Sequence, residues 1–295
     1  MNILGVFYSL LVAFVWGSAP IIYRYCINNS SALKMQAIRS IGFLGCGLII
    51  ALISPNVLHV ASHSHSALMV SIGGLSALLI GDSLFFHGIR LIGPGTATAI
   101  TGTYPFFASV AAILFLGERA TTATIVGTFC IFVGLVVFRM KREEPKQKSL
   151  QGVLLSLFAA FFWSVNFVLT RWGMTIGDIS PHALVFWQSI SFFIAIWICW
   201  GISWQRNNRQ EPLFRMPLKN MVMMITVGVL SMGLGGFLTS EAMRYAPASV
   251  VTPITASSPL FAAFWGRLLY REPILIPQWI GIVLILTGGV AINFG

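Results

Sequence analysis

Ten apolar stretches of about 20 residues, joined by short turns, dominate this chain of 295 residues. They run from about 3–23, 34–53, 67–89, 95–116, 121–139, 151–171, 181–203, 219–242, 247–270 and 275–294. In hydrocarbon every backbone donor and acceptor needs a partner within the protein, which leaves helices or a closed barrel. The stretches are continuously apolar rather than alternating over about 10 residues, so helices are expected and an outer-membrane barrel is not. Only 9% of the residues are Asp, Glu, Lys or Arg and 57% are hydrophobic. A soluble domain carries roughly 25% charged residues, so a soluble enzyme is excluded, as are a disordered and a fibrous chain. The sequence therefore predicts an all-α integral membrane protein with ten transmembrane helices, its main partner the lipid bilayer.

The single strongly charged linker, Lys141-Arg142-Glu143-Glu144-Pro145-Lys146-Gln147-Lys148, falls near the midpoint. It divides the chain into a first five-helix repeat at 1–140, a linker at 141–150 and a second five-helix repeat at 151–295. The halves match. Trp16 and Trp163, like Arg24 and Arg171, stand 147 positions apart. Further on the offset is 154, and Gly81, Arg90, Thr98, Thr101, Pro105 and Glu118 meet Gly235, Arg244, Thr252, Thr255, Pro259 and Glu272 without a gap. Apolar bias does not place Arg, Thr, Pro and Glu in step. Because each repeat has an odd number of spans, the second enters the membrane from the opposite side. Inverted repeats of this kind are a plan of secondary transporters, in which one repeat rocks against the other around a central site.

Trp16-Gly17-Ser18, Gly117-Glu118-Arg119, the run Ala242-Met243-Arg244-Tyr245-Ala246-Pro247-Ala248-Ser249 and Ser258-Pro259-Leu260 resemble the EamA-type members of the drug/metabolite transporter superfamily. The resemblance covers nearly the whole chain. It implies ten helices, a central cavity and export of amino acids or related small metabolites. The sequence departs from its own repeat in two turns, with Arg271-Glu272-Pro273 against Gly117-Glu118-Arg119, and Leu91-Ile92-Gly93-Pro94 against Tyr245-Ala246-Pro247-Ala248.

Polar residues inside the spans are the candidates for function. Asp82 lies among Leu79, Ile80, Leu84 and Phe85, with no Lys or Arg within one helical turn. A carboxylate there should face a wet cavity or hold a proton, with a hydrogen-bonded structural Asp near a helix end as the plainer account. His87, and Glu241 at its repeat-equivalent position, join Asp82 as candidates to couple a proton to transport. Arg39 suits a substrate carboxylate or a protein carboxylate, with snorkelling to the headgroups as the plainer account. Its repeat partner is Gln188, at an offset of 149. Trp16 with Ser18, and Trp163 with Asn166, offer an aromatic wall beside a polar group. Arg24 and Arg171, at span ends, read as anchors, and Trp197, Trp200 and Trp204 as a belt at the membrane interface.

Pro105 and Pro259 are expected to kink spans four and nine and to free the carbonyls of Thr101 and Thr255 at the midplane. Thr101, Tyr104, Thr255 and Ser258 are then expected to border the substrate site, with the two prolines as hinges.

Other classes find less support. No HExxH, GxSxG or convergent Asp pair marks an intramembrane enzyme, and a non-transporting scaffold would have little loop surface to offer. His59, His63 and His65 share a loop without a second ligand group, so no metal site or cofactor is expected. Cys26, Cys46, Cys130 and Cys199 have no paired spacing and read as packing residues. No GxxxxGK[ST] loop supplies a chain-encoded ATP pump. The net charge of +10 is scattered between apolar runs, which argues against nucleic acid and for a topology signal. The side shared with both termini holds Arg119, Arg171 and Arg244; the other side holds the remaining 15 of the 18 Lys and Arg residues. That bias puts both termini outside a plasma (inner) membrane and the linker in the cytoplasm. A small-molecule substrate is implied, and a homo-oligomer is compatible with the sequence.

Overall fold

A computed structural model of the chain describes residues 3–26, 31–54, 57, 64–119, 121–139, 149–206, 216–270 and 275–293. The central linker, His59, His63 and the Arg271-Glu272-Pro273 turn lie outside the described residues, as does the side chain of Arg24. The regular structure among the described residues is helical throughout. The first half holds α1 (Ile3–Cys26), α2 (Ala32–Ile53), α3 (Ser64–Leu75), α4 (Asp82–Ile92), α5 (Pro94–Thr101), α6 (Tyr104–Leu116) and α7 (Thr122–Arg139). The second holds α8 (Leu150–Thr175), α9 (Pro181–Arg206), α10 (Leu218–Val227), α11 (Gly235–Tyr245), α12 (Ala248–Thr255), α13 (Ser258–Tyr270) and α14 (Ile276–Asn293).

Among the described residues each apolar stretch marked in the sequence is helical, two of them in two pieces. Six helical segments among the described residues are long and apolar enough to cross a membrane: Ala32–Ile53, His65–Ile92, Leu150–Thr175, Pro181–Arg206, Leu218–Tyr245 and Ala248–Leu269. Ile3–Ala19, Tyr104–Leu116, Thr122–Val137 and Ile276–Ile285 are shorter apolar helices. Their outward faces carry bare Leu52, Leu114, Phe115, Ile276 and Ile280, a surface made for lipid rather than water.

Two irregularities interrupt the rods, and each occurs once per half. A π-helical turn, Ser76–Gly81, joins α3 to α4, and another, Gly228–Leu234, joins α10 to α11. Each inserts an extra residue, so that the Asp82 N–H reaches the carbonyl of Ala77 and the Gly235 N–H that of Leu230. Such turns re-aim the side chains that follow them. The second irregularity is a break. α5 stops at Thr101 and α6 starts at Tyr104; α12 stops at Thr255 and α13 starts at Ser258, each 154 positions on. The bridging bonds repeat as well. Thr103 donates to Ile100 at 3.1 Å and Phe106 to Thr103 at 3.0 Å, while Ser257 donates to Ile254 at 3.1 Å and Leu260 to Ser257 at 2.9 Å.

This corrects the expected kinks. Pro105 and Pro259 stand second in new helices, in the first turn, where a missing N–H leaves no helical carbonyl unserved. The chain breaks ahead of each proline instead of bending at it.

Packing follows the repeat. α1 lies on α11, α12 and α13, and its counterpart α8 lies on α4, α5 and α6. α2 packs on α9 and α10, and α9 on α2 and α3. α7 and α14 pair along their length, with Gly127, Gly134, Gly281 and Gly288 in the seam. One buried cluster gathers Ile38, Phe43, Phe192 and Met224, and a second gathers Tyr104, Phe167, Met243 and Val251. The second cluster lies where the two helix breaks approach each other.

Candidate functional site

The extra residue of the Ser76–Gly81 turn places Asp82 at the start of α4, facing α2 and α8. One carboxylate oxygen accepts from Arg39 Nη2 in a close ion pair, and the other accepts from Trp163 Nε1 at 3.0 Å. The side chains of Arg39 and Asp82 are 6% and 14% exposed, so the pair is enclosed. Arg39 does not snorkel, and Asp82 is not an isolated carboxylate: its cation comes from 43 positions away in sequence. Nearby, Gln36 Nε2 donates to Ser83 Oγ at 3.3 Å, which extends the polar seam between α2 and α4.

Trp163 reaches Asp82 because residue 81 is glycine. A Cβ there would lie 2.7 Å from Trp163 Cδ1. The other half uses the same device: a Cβ on Gly235 would lie 2.5 Å from Trp16 Nε1. Trp16 Nε1 donates to the Ser231 carbonyl at 3.0 Å, inside the second π-helical turn. Each indole therefore seats on the glycine of the opposite repeat. The chemistry differs, since one indole meets a carboxylate and the other a backbone carbonyl.

The aromatic wall is continuous. The Tyr104 ring stacks on Phe167 at 5.2 Å and meets Trp163 edge-on at 6.2 Å, and Phe167 meets Trp16 at 6.0 Å. The Tyr104 hydroxyl bonds Thr255 Oγ1 at 3.0 Å and donates to the Thr252 carbonyl at 3.3 Å. One residue thus ties the break in the first half to the break in the second. Along α8, Asn166 Oδ1 accepts from Gln188 Nε2 at 2.9 Å, and Gln188 also donates to the Val70 carbonyl at 3.1 Å. The repeat counterpart of Arg39 is therefore a neutral amide paired with another amide.

The structure brings Arg39, Asp82 and Trp163 together, then Tyr104 with Thr255, then Asn166 with Gln188. Other expected residues stand apart. Thr101 Oγ1 donates to Thr98 O at 3.2 Å and Ser18 Oγ to Val15 O at 2.6 Å, each within its own helix. Ser258 is half-buried at the start of α13. His87 is exposed and bonds Ser83 O through Nδ1 at 2.8 Å, whereas Glu241 is buried and pairs with Arg244 at 3.4 Å. Their equivalence in the repeat does not extend to their surroundings. Trp197 donates to Ser40 Oγ on α2 at 3.2 Å, so the ladder of three tryptophans begins in the core and not in an interface belt. Arg171 is not a lipid anchor either, because it pairs with Glu118 at 3.1 Å. The recurrence of Arg24 with Arg171 and of Glu118 with Glu272 was the sequence signal for that pairing.

Removing one member of an enclosed pair strands the other charge, which costs about 3–5 kcal/mol. Arg39→Met and Asp82→Leu should each lower the melting temperature in detergent, and the double variant should recover most of the loss. Additive losses in this double-mutant cycle would show that the two side chains do not act as a pair.

The comparisons with known proteins concern almost the whole chain. A relative of Escherichia coli (strain K12), the "Probable amino-acid metabolite efflux pump", is 23% identical over 288 residues, covering 95% of this chain and 91% of that protein. The "Uncharacterized transporter YvbV" of Bacillus subtilis (strain 168) is 24% identical over 289 residues, covering 97% and 91%. A solved crystal structure has the same fold, with a TM-score of 0.81 at 14% identity over 100% of this chain and 98% of its own. The EamA-like transporter family model matches residues 3–140 and 150–294, and the chain belongs to that family of membrane transporters.

Proposed function

We propose that the protein is a secondary active transporter that exports a small zwitterionic metabolite, an amino acid or a close relative, by alternating access of two inverted five-helix repeats. The single observation that carries the reading is the enclosed Arg39–Asp82 pair beside Trp163, at the seam of α2, α4 and α8. A substrate with one charge could satisfy only one member and would leave the other stranded in a low-dielectric site. A zwitterion serves both. Its carboxylate takes the planar fork of Arg39, and its ammonium group takes Asp82. The name of the Escherichia coli relative agrees with this class. A proton is the proposed coupling ion, because a proton and the substrate's ammonium group compete for the Asp82 carboxylate, so a proton taken up from outside displaces the exported substrate. Trp16, Trp163 and Tyr104 supply the apolar wall.

Purified protein in vesicles should exchange labelled amino acids in preference to their esters or their decarboxylated amines. Asp82→Asn should abolish that preference and the dependence of transport on pH. Transport by Asp82→Asn with parental selectivity and pH profile would return the residue to a structural role.

The paired helix breaks are the proposed hinges. They occupy equivalent places and are linked by the Tyr104–Thr255 bond, so they are positioned to flex together. Replacing Pro105 and Pro259 by Ala restores an N–H at each site and favours continuous helices. Turnover in vesicles should fall several-fold in the double variant while ligand affinity changes little. Parental turnover by the folded double variant removes the hinge from the mechanism.

By the Lys and Arg bias, both termini face outward. A reporter active only in the cytoplasm should stay silent when fused after Gly295. An active reporter reverses the orientation.

A further inference from the structure

Glu118 stands on the turn between α6 and α7, in the first repeat, yet among the described residues the partners of its carboxylate lie in the second. Oε1 accepts from Arg171 Nε at 3.1 Å and from the Ala248 N–H at 2.9 Å. Oε2 accepts from the Ser249 N–H at 3.2 Å and from Ser249 Oγ at 2.9 Å. Arg171 also donates through Nη1 to the Met243 carbonyl, near the end of α11. Gly117 directs the carboxylate inward: with φ of 66° it ends α6 in the left-handed conformation that glycine adopts without strain. The side chains of Glu118 and Arg171 are 7% and 17% exposed. A carboxylate at the positive end of α12, holding four donors, is a strong tie.

We propose that Glu118 is a one-sided clamp that biases the transport cycle toward the conformer in which this end of the two repeats is closed. The inference rests on the alternating-access reading and adds an asymmetry to it. In the repeat, Ala248 and Ser249 correspond, at the offset of 154, to Pro94 and Gly95. Proline has no N–H and glycine has no hydroxyl. A carboxylate facing the start of α5 could therefore gain one of the three donors that Ala248 and Ser249 supply at the start of α12. Glu272, the counterpart of Glu118, lies outside the described residues. The chemistry of the two helix starts is unequal: α12 offers a carboxylate three donors where α5 offers one. A duplicated fold would otherwise make its two end-states nearly equivalent.

The test uses two variants of the full chain. Glu118→Gln removes the charge. Ala248→Pro with Ser249→Gly gives α12 the Pro-Gly start that α5 already has. The backbone accepts this, because Pro247 is extended at ψ 153° and proline suits the first helical position. Spin labels on Arg119→Cys and Arg244→Cys, both exposed in the parent, report the opening of this end in a background with Cys26, Cys46, Cys130 and Cys199 changed to Ser. The parent should show one short distance. In both variants a longer distance should gain at least roughly tenfold in population, which is the weight of one charge-assisted bond; the Pro-Gly variant loses two. Parental distance distributions in folded protein overturn the clamp, and the Pro-Gly variant carries the test alone if Glu118→Gln does not fold. The measurement needs no substrate. A parent that exchanges no amino acid while the variants widen defeats the proposed substrate class, and the widening supports the clamp. Normal transport with unchanged distances defeats the clamp alone.

Discussion

The exchange of α1 and α8 between the two repeats is the constraint on which the rest of the structure depends. Each packs against the broken and π-turned helices of the opposite half: α1 on α11, α12 and α13, and α8 on α4, α5 and α6. Trp16 and Trp163 lock the exchange, because each indole fills the space that a missing Cβ leaves at Gly235 or Gly81. Lipid is as apolar as a leucine side chain, so burying apolar surface gives little preference for one helix partner over another in the bilayer. Close packing and polar contacts decide instead. The two tryptophans supply both, with an indole face on backbone and an indole N–H on an oxygen.

From that arrangement the position of the charged pair follows. With α8 held against the π-helical turn, Trp163 and Arg39 converge on Asp82 from two sides, and all three groups find partners in the apolar bundle. At the equivalent place in the other half, the Trp16 indole N–H meets the Ser231 carbonyl, and Gln188 pairs with Asn166. Two copies of one framework thus enclose one charged pole and one neutral pole. On the proposed export reading, this chemical asymmetry within matched halves would give the cycle its direction. It appears again at the helix starts that face Glu118 and at the turn residues that differ between the halves.

The helix breaks show how backbone constraints serve the same end. A proline inside a helix frees a carbonyl that hydrocarbon cannot solvate. At Pro105 and Pro259 the chain ends one helix and begins another, and the turn is closed by backbone bonds and by Thr101 and Thr255 bonding back to Thr98 and Thr252. Tyr104 then bridges to Thr255, so a local solution to a backbone problem becomes a contact between the two repeats.

Much of this was written in the sequence. The apolar stretches located the helical segments among the described residues, because hydrocarbon leaves the backbone no alternative to internal pairing. The offsets of 147 and 154 named Trp16 with Trp163, Gly81 with Gly235 and Pro105 with Pro259 as matched features. What the sequence could not supply was partnership across space. Asp82 has no cation near it along the chain; α2 brings one only when it packs beside α4. Arg171 and Glu118 each looked like residues of a span end and met only because α8 crosses to the other repeat. The prolines marked the right places, but bend or break was decided by backbone bonds that form once neighbouring helices fix the rods. Periodicity and repetition reside in the chain, whereas ion pairs between segments far apart in sequence exist only after the helices have chosen their neighbours.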